Sequence, residues 1–205
     1  MFAAAPPHHG LRFRERLPAT ERSLSPRWRN EVGTTQSKKA GPRISEIARE
    51  KKLQFFFGKI RRDAKILDVG CADGWAEKWA RGRGWTDITG LDLMPPADVV
   101  GDIREWKNLG LEAHSFDAIL AFEVVEHGDF AAPLHDLLRP DGRLMATTPV
   151  PHMDWLCQLG EAAGLLQRRT SPHTHLVDLR QVPRFKAVEH HVKGLVSQWG
   201  VLRPV

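Results

Sequence analysis

Cysteine is scarce in this sequence, and long apolar runs are absent. The 205 residues include two cysteines, Cys71 and Cys157, which are too few for a disulfide framework or a four-thiolate zinc site. The apolar stretches 116–125 and 144–150 are short and interrupted, whereas a membrane-spanning helix needs about 20 consecutive apolar residues. We therefore predict a cytoplasmic protein without a transmembrane segment, held together by a hydrophobic core that a chain of this length can form unaided.

The excess of positive charge is confined to the first part of the chain. The net charge is +5 and the isoelectric point is near 9.5, values that point to an anionic partner such as nucleic acid. Residues 1–43 carry a net charge of +6 and residues 44–65 one of +4, so residues 66–205 are acidic, at −5. Nucleic acid binding would therefore depend on the basic segments alone, and we do not favour it.

Residues 1–43 show neither helical nor strand periodicity, and their few apolar residues are scattered among Pro, Ser, Gly and Arg. This composition buries too little apolar surface to offset the entropy of ordering, which predicts a disordered basic tail. An organellar transit peptide, a dispensable extension and a mis-assigned start codon are the alternative interpretations. Residues 44–205 are then expected to form a single domain.

From Ile44 onward, strand-like and helix-like segments alternate. Apolar residues at helical spacing predict an amphipathic helix over 44–60. The alternation that follows predicts a doubly wound α/β domain with a mainly parallel sheet. The predicted strands are 64–69, 87–93, 98–100, 116–122 and 143–148, and the predicted helices are 74–83 and 131–138, with a turn at 139–142. Apolar runs at 182–188 and 192–202 predict an antiparallel C-terminal strand pair that completes the sheet.

The segment from Asp68 to Gly74 follows an apolar strand and opens a helix, which is where a doubly wound sheet binds a nucleotide. Its small residues allow the backbone to approach a ligand closely, and Asp68 can hold a cationic group. Asp92 ends the next strand 24 residues later, in position to accept hydrogen bonds from a ribose. The loop lacks the full G-x-G-x-x-G pattern of a dinucleotide site, which disfavours a nicotinamide dehydrogenase.

Several motifs, in the expected order, resemble those of the class I S-adenosylmethionine-dependent methyltransferases. They cover about residues 60–150 and comprise Ile66-Leu67-Asp68-Val69-Gly70-Cys71-Ala72-Asp73-Gly74, Gly90-Leu91-Asp92, Gly101-Asp102-Ile103, the strand 117–123, the segment 137–144 and Thr147-Thr148-Pro149. The resemblance implies a Rossmann-like fold and methyl transfer from a sulfonium. Ala72 departs from the family pattern, in which many members have glycine.

The resemblance also implies a role for each cofactor-binding position. Asp68, Gly70 and Gly74 shape the pocket for the methionine part, Asp92 takes the ribose, and Asp102 with Ile103 takes the adenine. The full set of implied contacts is Asp68, Gly70, Cys71, Ala72, Gly74, Asp92, Leu93, Asp102, Ile103 and Phe122. The donor arrives with its methyl group activated, so the protein mainly aligns the reactants and excludes water.

Glu123-Val124-Val125-Glu126-His127 lies where the fourth strand leaves the sheet. Two carboxylates and an imidazole, joined by His175 from a later segment, have the ligand types that bind Mg²⁺ or Mn²⁺. This arrangement resembles the small-RNA 2′-O-methyltransferases and the ubiquinone-pathway O-methyltransferases, in which a metal lowers the pKa of a substrate hydroxyl. The alternative is a site without metal, in which Glu123 and His127 act as catalytic groups or His127 caps the following helix.

These features predict methyl transfer to a hydroxyl or another nucleophile, and so an O-methyltransferase. The short segments available to cover the substrate favour a small-molecule acceptor or one linked to a lipid or a glycan. The alternative is a non-catalytic binding or scaffold subunit that uses the same fold. Binding of S-adenosylmethionine distinguishes the two.

Overall fold

The computed structural model describes residues 43–151, 177–194 and 196–205. The helices are α1 (Arg43–Phe57), α2 (Trp75–Arg81) and α3 (Ala131–Leu137), with 3₁₀ helices at Ile103–Leu109, Val125–His127 and Leu179–Gln181. The strands are β1 (Ile66–Val69), β2 (Ile88–Asp92), β3 (Val99–Val100), β4 (Phe116–Phe122), β5 (Leu138–Pro149), β6 (Phe185–Lys193) and β7 (Ser197–Pro204). Residues 1–42 lie outside this description, so the predicted basic tail stays a prediction.

The seven strands form one sheet in the order β3-β2-β1-β4-β5-β7-β6. Neighbours from β3 to β5 pair in parallel, and β7 pairs antiparallel with both β5 and β6. The prediction of a mainly parallel, doubly wound sheet completed by an antiparallel C-terminal pair is confirmed. Parallel neighbours require a crossover connection, and the helical segments between the short apolar strands provide it.

Both faces of the sheet are covered by apolar side chains, and this explains why the central strands are apolar throughout. On one face α1 and α2 pack over residues that include Ile66, Leu120 and Met145. On the other face α3 and the 3₁₀ helix 103–109 pack over a second apolar cluster. None of the described helices is long and apolar enough to cross a membrane, and the predicted cytoplasmic location stays a prediction.

The structure differs from the sequence-based prediction at the turn signal 139–142. These residues form a bulge within β5, because Phe116 pairs with Leu138 while Ala118 pairs with Arg143. Arg139 Nη1 donates to Asp117 Oδ1 at 2.5 Å, and this ion pair holds the extra residues beside β4. A bulge adds residues to one strand without ending it, so β5 begins at Leu138 rather than at Arg143.

Candidate active site

The site predicted by the sequence lies at the point where the strand order reverses. Successive strands run outward from β1 through β2 to β3 on one side, and β4 continues on the other side of β1. Loops after β1 and β4 therefore leave the sheet in different directions and open a crevice at their carboxyl ends, the usual ligand site of such sheets.

In the loop after β1, every second residue from 70 to 74 has a left-handed backbone conformation. Gly70 has φ 73°, Ala72 has φ 52° and Gly74, which precedes α2, has φ 71°. A Cβ at Gly70 would lie 2.5 Å from Val124 Cγ2, so glycine is required both for the turn and for the contact with the loop after β4. Ala72 has the conformation that favours glycine, which accounts for the glycine found there in many family members.

Asp92 and Asp102 are the residues predicted to bind the ribose and the adenine of the cofactor. Asp92 ends β2, and Asp102 lies two residues after the end of β3. Asp92 Oδ2 accepts a hydrogen bond from the Ala72 backbone N at 2.9 Å, so it ties β2 to the loop. Asp102 caps the 3₁₀ helix 103–109 and pairs with Arg104. Burial acts to raise the pKa of Asp102, but the hydrogen bonds and charge of Arg104 outweigh it and lower that pKa. Ile103 is 3% exposed and packs in the core.

Beneath the loop lie two buried carboxyl groups. Asp68 is 3% exposed and Glu77, on α2, is 4% exposed. Burial, followed by the charge of Glu77, raises the pKa of Asp68 well above its usual value. Burial and the same carboxylates also raise the pKa of the Cys71 thiol. Asp68 and Cys71 are predicted at this place from the sequence, whereas Glu77 is not.

Glu123 leaves the end of β4 with a left-handed backbone, φ 57°, and joins a network with α1. Lys52 Nζ donates to Glu123 Oε1 and to Thr147 Oγ1, each at 3.1 Å, and Thr147 Oγ1 donates to Glu123 Oε1 at 2.7 Å. Strain of this kind concentrates at functional sites. Sequence reasoning missed Lys52, because only the packing of α1 over the sheet brings it to Glu123.

Glu126 and His127 lie in the 3₁₀ helix that follows Glu123. Glu126 is fully buried, and burial, with the charge of Glu123 next, raises its pKa to about 8. The Glu126 backbone and the charge of Lys52 partly offset this rise. Burial and the charge of Glu123 therefore disfavour the ionised form of Glu126, which is the form that binds cations.

The predicted metal ligands are Glu123, Glu126, His127 and His175, and the structure describes the first three. In the part of the chain that the structure describes, no three His, Cys, Asp or Glu side chains form a group that could hold a metal ion. His175, the fourth predicted ligand, lies outside the described residues. Glu123 already has a cationic partner in Lys52, and the metal site stays a prediction.

One row of side chains crosses the sheet beside Glu123. Thr147 pairs in register with Phe122 on β4 and with Trp199 on β7, and Trp199 pairs with His191 on β6. The ring of Phe55, from α1, lies 5.3 Å from the rings of both Trp199 and His191. Half-buried aromatic side chains thus extend from the carboxyl end of β4 toward the edge strand.

This sheet order, with the glycine turn after β1 and the carboxylates at or beside the carboxyl ends of β1, β2 and β4, defines an α/β methyltransferase domain. Residues 43–185 match the family model described as a methyltransferase domain. The chain belongs to this family of methyltransferases.

Solved structures agree with the fold. The PH0226 protein from Pyrococcus horikoshii OT3 superposes with a TM-score of 0.58 at 15% identity, covering 78% of this chain and 91% of that one. A magnesium protoporphyrin IX methyltransferase from Synechocystis PCC 6803, solved with bound SAH, gives a TM-score of 0.54 at 15% identity, covering 87% and 93%.

Among curated proteins, the chain is similar to the ribosomal RNA large subunit methyltransferase E of Caulobacter sp. (strain K31). The two are 44% identical over 57 residues, which is 28% of this chain. The match spans 23% of that relative's length.

Proposed function

We propose that this protein transfers a methyl group from S-adenosylmethionine to a hydroxyl oxygen of its acceptor, with Glu123 as the group that receives the hydroxyl proton. The observation that supports this most directly is the Lys52–Glu123–Thr147 network at the carboxyl end of β4. It places a carboxylate, held in one orientation, beside the crevice in which a doubly wound sheet binds its ligand.

The residues around the loop after β1 fit the cofactor. Its sulfonium and ammonium groups are cationic, and Asp68, Glu77 and Asp92 are acidic. Glu77 Oε2 is buried and accepts no hydrogen bond from the described residues. The carboxylate of Asp92 has lone pairs beyond those used by the loop backbone, so it can also accept hydrogen bonds from a ribose. When bound, the cofactor supplies an electrophilic methyl group that needs no further activation.

The protein's own residues then act on the acceptor oxygen. Glu123 Oε1 is engaged by Lys52 and Thr147, which leaves Oε2 to accept the proton of the acceptor hydroxyl. Lys52 is a positioning residue in this scheme, because it acts through Glu123. Its ammonium also lies 5.4 Å from the ring centre of Phe122.

The acceptor we propose is a hydroxyl compound with an apolar or aromatic body. The rings of Trp75 and Phe122 lie 6.3 Å apart and are half-buried, and Arg49 lies 5.3 Å from the ring centre of Trp75. Such a surface stabilises a flat or apolar group next to Glu123. This is compatible with the small-molecule, lipid-linked and glycan-linked acceptors expected from the sequence.

An RNA acceptor is the second candidate. Lys59 and Lys193 place their ammonium groups 4.7 Å and 5.8 Å from the ring centre of Phe55, and lysines interleaved with aromatic rings are typical of surfaces that bind single-stranded nucleic acid. The partial match to a protein named as a ribosomal RNA methyltransferase supports the same candidate.

The test begins with calorimetric binding of S-adenosylmethionine and continues with transfer of labelled methyl groups. Small hydroxyl compounds, lipid- or glycan-linked compounds and RNA are offered separately. We expect donor binding at roughly tens of micromolar or tighter, and transfer that is lost in Glu123→Gln while donor binding is kept. The matched control is Glu112→Gln, since Glu112 is exposed and lies outside the motifs. A wild-type protein that does not bind the donor contradicts the proposal and favours a scaffold role.

A further inference from the structure

The row of side chains beside Glu123 has a tryptophan on each side of that residue. The rings of Trp75 and Phe122 lie 6.3 Å apart. Phe122 pairs in register with Thr147, and Thr147 pairs with Trp199. Glu123 directly follows Phe122, and its backbone N donates to the Thr147 backbone O at 2.9 Å. The row therefore runs from Trp75 to Trp199, with the proposed reacting position between them.

Each of these two tryptophans has a cation above its ring. Arg49 Cζ lies 5.3 Å from the ring centre of Trp75, and Lys193 Nζ lies 5.7 Å from that of Trp199. The Lys193 ammonium is also 5.8 Å from the ring centre of Phe55. Both cations are exposed. An aromatic face attracts a cation without accepting a hydrogen bond from it, so the N–H groups stay available to a ligand.

The carboxylates along this row are paired with other cations. Their partners lie at 2.9–3.2 Å, in the ion pairs Glu50–Arg83, Glu123–Lys52 and Glu189–Lys59. Within the part of the chain that the structure describes, neither Arg49 nor Lys193 forms an ion pair with a carboxylate. The row therefore has a surplus positive charge on each side of Glu123.

Two cations that flank one reacting position fit an acceptor with negative charge on both sides of its hydroxyl. Arginine and lysine side chains bind phosphate in this way. The 2′-hydroxyl of an internal RNA nucleotide has a phosphate on each side along the chain. Cations interleaved with aromatic rings are also typical of surfaces that bind single strands. An uncharged hydroxyl compound has no group that would pair with either cation.

We propose that Arg49 and Lys193 bind phosphates on the two sides of Glu123, so that the acceptor is a single strand of RNA that presents a ribose 2′-hydroxyl to Glu123. This rests on the proposed function, because it takes Glu123 as the group that receives the hydroxyl proton. In the transfer, the 2′-oxygen forms a bond to the methyl carbon. The bond from that carbon to sulfur breaks with its electron pair going to sulfur, and the proton goes to Glu123.

The experiment measures binding of a single-stranded RNA of about 12 nucleotides, a length that single-strand-binding surfaces cover, by fluorescence anisotropy at several salt concentrations. Each phosphate contact contributes about 0.7 to the slope of log affinity against log salt. We expect Arg49→Gln and Lys193→Gln each to reduce the slope by about 0.7 and to weaken binding about fivefold at roughly 0.1 M salt. Arg49→Lys and Lys193→Arg keep the charge and should keep most of the affinity.

The matched control is Lys107→Gln. Lys107 is exposed, and its ammonium lies 5.4 Å from the ring centre of Trp106 on the opposite face of the sheet. This variant should bind RNA as the wild type does. A DNA strand of the same sequence has the phosphates but no 2′-hydroxyl, so the wild type should bind it with a similar salt dependence and methylate only the RNA.

The proposal is overturned if the wild type does not bind RNA, or if either glutamine variant keeps the wild-type salt slope. Tighter binding to vesicles of phosphatidylglycerol than to RNA also overturns it, and assigns the two cations to a lipid phosphate. Methyl transfer to a small hydroxyl compound but not to bound RNA overturns RNA as the acceptor and leaves the proposed function intact. If the wild type does not bind S-adenosylmethionine, the proposed function fails, and the salt slopes still decide whether Arg49 and Lys193 bind phosphate.

Discussion

Gly70 allows a quantitative test of how the loop after β1 is built. Replacing it by alanine imposes two separate costs. The left-handed backbone at φ 73° costs a residue with a Cβ about 1–2 kcal/mol. The new Cβ would lie 2.5 Å from Val124 Cγ2, about 1 Å inside ordinary contact, and overpacking of this kind costs about 1–3 kcal/mol. We expect Gly70→Ala to lower the free energy of unfolding by about 3 kcal/mol.

Gly110 is a control with the same backbone and no overlap. Its φ is also 73°, and a Cβ there would meet nothing within 4 Å. Gly110→Ala should therefore cost only the backbone part, about 1–2 kcal/mol. The difference between the two variants isolates the contact with Val124, and urea unfolding measures both.

A second variant removes the overlap while leaving the backbone strain. In Gly70→Ala combined with Val124→Ala, the offending Cγ2 is absent and the next atom, Val124 Cβ, lies at 3.8 Å. The pair should be less destabilising than the sum of the single changes by about 1–3 kcal/mol. If Gly70→Ala costs no more than Gly110→Ala, or if the two changes are additive, the packing of the loop against Val124 is not what requires glycine.

Three further predictions follow from individual contacts. Ala72→Gly should raise the free energy of unfolding by about 0.5–1 kcal/mol in urea unfolding, since it relieves a left-handed alanine at an exposed position; an unchanged or lower stability would contradict the strained backbone. Lys52→Ala should lower the rate of methyl transfer by about 100-fold with donor affinity kept, and Lys52→Arg should restore part of it. The control is Lys107→Ala, on the opposite face of the sheet, which should transfer methyl groups at the wild-type rate. If all these variants are equally active, Lys52 has no part in catalysis. Because burial raises the pKa of Asp68, its contribution to stability is complete below its unfolded pKa and is lost as the pH rises through the folded value. Urea unfolding at about pH 5 and about pH 8 should show a larger loss for the wild type than for Glu77→Gln, and parallel losses would count against an effect of Glu77 on the pKa of Asp68.

Much of the fold is predictable because its signals are local. The strand at 116–122 has the predicted bounds. For β1, α2 and β2, the ends lie no more than two residues from their predicted positions. The segment 139–142 is different: its sequence predicts a turn that precedes a strand, and the structure has a bulge within β5. Its Pro-Asp-Gly sequence has the chemistry of a turn, and in the structure the ion pair between Arg139 and Asp117 lies beside the bulge.

The sequence by itself determined the α/β fold class, the family, and the loop from Asp68 to Gly74. Hydrophobic periodicity and turn chemistry depend on residues close together in the chain, so they can be read without the structure. The tertiary structure alone decided that Lys52 meets Glu123, 71 residues away, and that Glu77 lies buried against Asp68. The reason is physical: the strand order gathers distant carboxyl ends at one edge, and the packing of α1 and α2 selects the side chains that reach it.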